Sequence, residues 1–149
     1  MGLHTFKAAS VLKETGMRVE SEVRGFKAIA DEPKDLGGTG TGMNPVETLL
    51  CALGACQCMT ASFFAKFLKI DLEEYRVDVE GYLDITGFLK GDSGIRPGLQ
   101  EIRLTVHVKA NAPQEKIAEL LALVDSRCPV GETVLNGAPV VVRHIVENS

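Results

Sequence analysis

Three short stretches near the beginning of the chain, rich in apolar residues and bounded by turn sequences, have the pattern of β-strands. The stretches comprise residues 4–12, 17–23 and 26–30, and turn sequences at 14–16 and 24–25 separate them. The pattern therefore predicts a three-stranded meander. A glycine-rich segment, 31–42, follows the third stretch and predicts a loop.

A long apolar segment then predicts a helix over residues 45–69. Its start is well defined, because Asn44 can serve as N-cap, Pro45 suits the first helical position, and Glu47 can complete a capping box. Polar residues interrupt the segment, so we expect a buried helix and not a membrane span. Apolar side chains surround most of this helix, and a second subunit is expected to cover what one sheet cannot.

The second half of the chain predicts two further strands, 75–83 and 101–109, joined by a long loop over 86–98. A second helix is expected from about Pro113 to Arg127, and a last strand over 139–145. Three strands, a long helix, two strands, a helix and a strand define an α+β fold. With 149 residues, we expect the whole chain, 1–149, to form one domain.

Charge and composition exclude several classes of partner. The chain has 20 acidic and 16 basic side chains, a net charge of -4, and no run of lysine or arginine. This composition argues against nucleic acid and anionic membranes as partners. The first residues lack the basic head and apolar core of a secretory signal, so an intracellular protein is expected.

The glycines before the long helix raise the possibility of a phosphate-binding loop, since a helix N-terminus attracts anions. A P-loop, however, needs a lysine and a hydroxyl residue after its last glycine, and a dinucleotide site needs a strand leading directly into the glycines. The chain has neither, and Pro45 removes one N–H group that an anion would use. A structural loop is the favoured interpretation.

Three of the four cysteines, Cys51, Cys56 and Cys58, fall on the long helix. At about 100° per residue, Cys56 points away from the other two, so the three sulfurs cannot converge on one ion. The histidines all fall on predicted strands, and no metal site is expected. Residues two apart on a helix do not face each other, which excludes a disulfide between Cys56 and Cys58.

The fourth cysteine, Cys128, follows the second helix, where Pro129 forces the chain to turn. We expect its sulfur to be more accessible than one in mid-helix. A redox pair of Cys56 and Cys128 and a merely structural role for these thiols both remain open at this point. A thiolate in mid-helix would need a cation such as Arg18 or Arg24 to lower its pKa.

The segment 31–56, with Asn44-Pro45 twelve residues before its final cysteine, together with Cys128-Pro129, resembles the OsmC/Ohr family of osmotically inducible and organic-hydroperoxide-resistance proteins. The resemblance spans nearly the whole chain and is greatest to the less characterised OsmC-like branch. It implies an intertwined homodimer, in which two long central helices pack between sheets shared by both subunits.

The resemblance also implies a thiol peroxidase of the cytoplasm that needs no metal or organic cofactor. It assigns the peroxidatic cysteine to Cys56 and the resolving cysteine to Cys128, with an external dithiol as reductant. The supporting cation would be Arg18, with Arg24 as the alternative, and Glu47 would either orient that cation or only cap the helix.

One departure from the family pattern keeps a second function open. Where organic-hydroperoxide members have Asn-Pro-Glu, this chain has Asn44-Pro45-Val46, and its carboxylate comes one position later, at Glu47. The alternative is a non-catalytic module that binds a small ligand or senses redox state. A cysteine hydrolase is a weaker third hypothesis, because no histidine lies near Cys56 or Cys128 in sequence.

Overall fold

A computed structural model describes residues 2–14 and 16–147. Within them the chain forms five strands and four α-helices, which confirms the expected α+β class. The residues form two compact units, one ending at Ala52 and the other beginning at Leu53, so that the boundary falls inside the long helix α1 (Pro45–Phe67).

The first unit contains an antiparallel sheet of three strands in the order β1 (Ala9–Leu12), β2 (Val19–Val23) and β3 (Phe26–Ala30). The predicted meander is therefore confirmed, although β1 begins at Ala9 and not at residue 4. Ala9 pairs with Glu22, and β2 ends one residue later, so residues before β1 have no ladder to join. The turn predicted at 14–16 includes Thr15, which lies outside the described residues.

The buried carboxylate of Asp31 organises the loop that follows β3. It accepts hydrogen bonds from the backbone N–H groups of Glu32, Thr39 and Thr41, and from both threonine hydroxyls. These hydrogen bonds, led by that of the Thr39 hydroxyl, hold the pKa of Asp31 well below its usual value. A Cβ on Gly38 would lie 1.8 Å from the Glu32 carbonyl oxygen, so this glycine has a structural role.

Helix α1 has the predicted capping box. The N–H of Asn44 donates to Glu47 Oε2, and the N–H of Glu47 donates to Asn44 Oδ1, both at 2.8 Å. The helix ends at Phe67 because Lys69 adopts a left-handed conformation with φ of 57°. The N–H of Ile70 then reaches the carbonyl of Ala65 at 2.8 Å, which is the Schellman pattern of helix termination.

The core of the second unit lies between α1 and α3 (Gln114–Arg127). One stripe of α1 is buried, with a residue at every fourth position: Leu53, Gln57, Ala61 and Ala65. Its two alanines pack with Ile70, Leu120 and Val124, and small side chains on α1 allow this close approach. Gln57 is the polar member of an otherwise apolar stripe.

The sheet of the second unit pairs β4 (Asp71–Tyr82) with β5 (Glu101–Asn111) in antiparallel register. Strand β4 begins four residues earlier than predicted because a bulge between Leu72 and Glu74 interrupts the simple alternation. The long loop between the strands contains a short helix, α2 (Ile85–Leu89), which the sequence analysis did not predict. Asp84 caps it by accepting the N–H of Thr86 at 2.9 Å.

The C-terminal part of the prediction was wrong in two respects. Residues 129–136 form helix α4 (Pro129–Asn136), whose signals are Pro129 at its first position and Gly137 after its last. The strand predicted over 139–145 is not formed: described residues after Gly137 have no helix or strand and are exposed. Their apolar pattern suits a strand, but a strand also needs a neighbour, and the described chain gives them none.

The expectation that α1 is a buried helix and not a membrane span agrees with its packing, although length and composition alone do not exclude a span. This helix is long and apolar enough to cross a membrane, and 22% of its most apolar window is buried. Core helices of other proteins pass the same test. In the structure, Ala61 and Ala65 of this helix pack in the core of the second unit, as expected of a core helix.

Candidate active site

Cys56 and Cys128 come together in the second unit. Cys56 is half-buried in the middle of α1, whereas Cys128 is fully buried between α3 and α4, with an exposure of 0%. The prediction that Cys128 would be the more accessible sulfur was therefore wrong. Because α4 follows directly, the turn directs the side chain inward, where its Sγ accepts the N–H of Gly131 at 3.4 Å.

The surroundings of Cys128 favour its protonated form. Burial raises the pKa of this thiol above its ordinary value of 9.0, and the neighbouring Cys56 raises it further. The hydrogen bond from Gly131 acts in the opposite direction without reversing the shift. The two sulfurs are therefore close enough to interact, and Cys128 is a thiol at neutral pH; all four cysteines are free.

Gly131 has no side chain, and this makes room for the sulfur of Cys128 beside it. A Cβ at this position would lie 3.3 Å from Cys128 Sγ and 3.7 Å from Gln57 Nε2. The sulfur of Cys128 and the amide nitrogen of Gln57 therefore both lie close to the position that a side chain on residue 131 would occupy. Gln57 has an exposure of only 5%, and its Oε1 has no hydrogen-bond partner among the described residues.

Tyr75 contributes a second buried polar group to this region. Its hydroxyl has no hydrogen-bond partner in the described part of the chain. Burial raises its pKa to about 12, with further contributions from Asp125, Cys58 and Cys128. The phenol therefore stays protonated, and it is a hydrogen-bond donor close to the cysteines.

The other two helix cysteines lie in different surroundings. Cys58 is half-buried, and its thiol donates to the backbone carbonyl of Tyr75 at 3.5 Å. Cys51 belongs to the first unit, is exposed, and has its sulfur 3.7 Å from Met43 Sδ. In residues 2–14 and 16–147 there is no group of three or more histidine, cysteine or acidic side chains that could hold a metal ion.

The remaining predicted site residues belong to the first unit. Arg18 is half-buried just before β2, and its carbonyl accepts the N–H of Lys13 at 2.8 Å. Arg24 lies in the turn between β2 and β3, with its guanidinium 5.5 Å from the centre of the Phe26 ring. Glu47 caps α1 as described above. Their roles in chemistry stay predictions.

Sequence reasoning missed Gln57 and Tyr75. For Gln57 a signal was present, because it lies four residues from both Leu53 and Ala61 and so falls on an apolar helical stripe. For Tyr75 the alternation of β4 predicted a strand residue and gave no indication that its hydroxyl is buried without a partner.

The fold and the neighbouring thiols of Cys56 and Cys128 define a small α+β protein with a dithiol site, and comparison with known proteins gives the family. The family model described as OsmC-like protein matches residues 38–143. The chain belongs to this family. The resemblance inferred from the residues around Cys56 and Cys128 is thereby confirmed.

Individual relatives agree with this assignment. A hydroperoxide reductase of Mycoplasma genitalium is 30% identical over 95 residues, a match that spans 62% of this chain and 62% of the relative. Among solved structures, an OsmC-like protein from Mycoplasma pneumoniae has a TM-score of 0.76 and 25% identity, and the match covers 89% of each chain.

A third relative is an organic hydroperoxide resistance protein, OsmC, from Legionella pneumophila. Its structure matches with a TM-score of 0.66 at 22% identity, and the match covers 92% of this chain and 93% of the other. At this identity the likeness supports the fold alone.

Proposed function

We propose that this protein is a cysteine-based peroxidase that reduces small or organic hydroperoxides. The observation that carries the proposal is the pair of interacting thiols, one half-buried in mid-helix and one fully buried. The relative from Mycoplasma genitalium that is a hydroperoxide reductase supports the same chemistry.

The first step is attack of the Cys56 thiolate on the terminal oxygen of the hydroperoxide. A sulfur–oxygen bond forms, the oxygen–oxygen bond breaks, and the alkoxide leaves and takes a proton from solvent. Cys56 is thereby oxidised to a sulfenic acid, and the hydroperoxide is reduced to an alcohol. The half-buried position of Cys56 suits this role because a substrate must reach its sulfur.

The second step is attack of Cys128 on the Cys56 sulfenic acid. A disulfide forms, and the hydroxyl leaves as water with the proton that Cys128 gives up. The burial of Cys128 and its raised pKa suit this order of events, since its sulfur is shielded from direct oxidation. An external dithiol then reduces the disulfide by exchange.

The cation that holds Cys56 as a thiolate is proposed to be Arg18, with Arg24 as the alternative. The contact of Arg24 with the Phe26 ring favours Arg18. The carboxylate of Glu47 already accepts the N–H of Asn44, which favours its role as a helix cap over an orienting role. Both assignments derive from the family resemblance.

We also propose that the chain is a single domain acting in the cytoplasm as an intertwined homodimer. The family model, residues 38–143, includes the end of the first unit and most of the second, which supports one domain. Met59, Phe63 and Phe67 form an apolar stripe on α1 with exposures of 73%, 67% and 74%. An exposed apolar stripe of this kind is typical of a protein interface, and a second copy of the chain would bury it.

Consumption of cumene hydroperoxide in the presence of dithiothreitol tests the assignment of roles. Cys56→Ser is expected to abolish consumption. Cys128→Ser is expected to allow one rapid turnover and then to slow, because the sulfenic acid has lost its resolving thiol. Cys51→Ser is the matched control and keeps the wild-type rate. Full activity of Cys56→Ser would overturn the assignment, and an inactive wild type would favour a module that only binds a ligand.

A further inference from the structure

The amide of Gln57 is a buried group of the second unit that the proposed chemistry does not use. It lies on the buried stripe of α1 between Leu53 and Ala61, directly after Cys56. Its Oε1 is buried without a hydrogen-bond partner in the described chain, and its Nε2 borders the same point as the sulfur of Cys128.

An unpaired buried acceptor is costly. Leaving such a group without a partner destabilises the folded state, whereas an apolar side chain of the same size would pack here without that penalty. Leucine and alanine fill the neighbouring positions of the stripe. The amide is therefore unfavourable for folding at this position and suits the binding of a group that carries a donor.

We propose that the carbonyl oxygen of Gln57 accepts a hydrogen bond from the O–H of the hydroperoxide that reacts with Cys56. Gln57 is then a substrate-binding residue that selects hydroperoxides, which carry this donor, over peroxides that lack it. This inference rests on the peroxidase function proposed above and adds to it the residue that orients the substrate.

The chemistry of the first step agrees with this role. The oxygen that bears the proton is the terminal one, and it is also the oxygen that the Cys56 thiolate attacks. After the transfer the same O–H belongs to the sulfenic acid, so one acceptor holds it before and after the oxygen–oxygen bond breaks. Gln57 stays neutral and exchanges no proton. The O–H is released as water when Cys128 forms the disulfide.

The buried hydroxyl of Tyr75 supports a polar binding site in this region. Among residues 2–14 and 16–147 it is a donor without a partner, whereas Gln57 Oε1 is an acceptor without a partner. A hydroperoxide can satisfy both kinds of group, because it carries one O–H donor and two oxygen acceptors.

Gln57→Met tests the inference because methionine has a similar size and lacks the amide. We expect the second-order rate of Cys56 oxidation by cumene hydroperoxide to fall about 10-fold, the effect of losing one hydrogen bond. The reaction of Cys56 with methyl methanethiosulfonate, which has no hydrogen-bond donor, should keep its wild-type rate. Gln57→Leu should behave in the same way and provides a second apolar variant.

Leu53→Met is the matched control, since it places methionine on the same buried stripe and keeps the amide. It should retain both wild-type rates. Equal slowing of Gln57→Met toward both reagents would indicate a merely structural role and would overturn the inference. A wild-type rate of oxidation in Gln57→Met would overturn it while the peroxidase function stands. If hydroperoxide leaves wild-type Cys56 unoxidised, the proposed function fails and the inference fails with it.

Discussion

The backbone N–H of Gly131 donates to the sulfur of Cys128 at 3.4 Å, across the first turn of α4. This contact holds the sulfur of Cys128 toward the interior, and it joins this thiol to the start of a helix. The absence of a side chain on Gly131 leaves the space that the sulfur fills.

Gly131→Ala should slow disulfide formation while leaving the stability of the protein nearly unchanged. The new Cβ would lie 3.3 Å from Cys128 Sγ, so the sulfur must shift by a few tenths of an ångström. Alanine favours a helix over glycine by about 1 kcal/mol, which offsets the tighter contact. Trapping of the sulfenic acid with dimedone should therefore increase.

Gly91→Ala is the control for this prediction, because a Cβ there would meet no atom within 4 Å. It should form the disulfide at the wild-type rate. Unchanged disulfide formation in Gly131→Ala would contradict a resolving role for Cys128 in its observed position.

Glu47→Gln separates the two roles of this residue. Glutamine can complete a capping box as glutamate does, but it carries no charge to orient an arginine. Since Glu47 caps α1, we expect Glu47→Gln to keep the wild-type peroxidase rate and Glu47→Ala to lower the free energy of unfolding by about 1 kcal/mol. A large loss of activity in Glu47→Gln, at unchanged stability, would instead indicate an orienting role.

The raised pKa of Cys128 predicts that stability decreases at alkaline pH. Because the folded state binds this proton more tightly than the unfolded state, the stabilisation is complete below the unfolded pKa, near 9.0, and is lost as the pH rises through the folded pKa. The urea midpoint of the reduced wild type should therefore fall above pH 9. Cys128→Ser should show a smaller fall; an identical profile would show that this thiol is not linked to folding.

Phe63→Asp tests the homodimer. Phe63 is 67% exposed and forms an edge-to-face contact with Phe64, at 5.2 Å between ring centres. A charge there should leave each chain folded while weakening association, so sedimentation should detect a monomer with an unchanged circular dichroism spectrum. Lys90→Asp, an exposed change outside α1, should retain the wild-type mass. A wild type that is itself monomeric would contradict the proposal.

Local signals predicted the start of α1 well. Asn44, Pro45 and Glu47 lie within four residues, and their hydrogen bonds depend on little beyond the helix itself. The meander was predictable for the same reason, since the Arg24-Gly25 turn, with both φ angles positive, fixes the pairing of β2 with β3.

Features that depend on distant packing were not predictable in this way. The burial of Cys128 depends on α4, which the sequence analysis did not recognise, and the strand expected over 139–145 lacks a neighbour in the described chain. The roles of Cys56 and Cys128 came from the family resemblance, because spacing alone could not choose among the three helix cysteines. Gln57 Oε1 has no partner among the described residues because of tertiary packing, which the sequence does not reveal.

Intact-mass analysis of the reduced protein after one equivalent of cumene hydroperoxide, followed by peptide mapping, tests the central claim most directly. We predict rapid loss of two hydrogen atoms and a disulfide that joins the peptides of Cys56 and Cys128. An unchanged mass in folded, reduced protein, or a disulfide that involves Cys51 or Cys58 instead, would contradict the proposed chemistry.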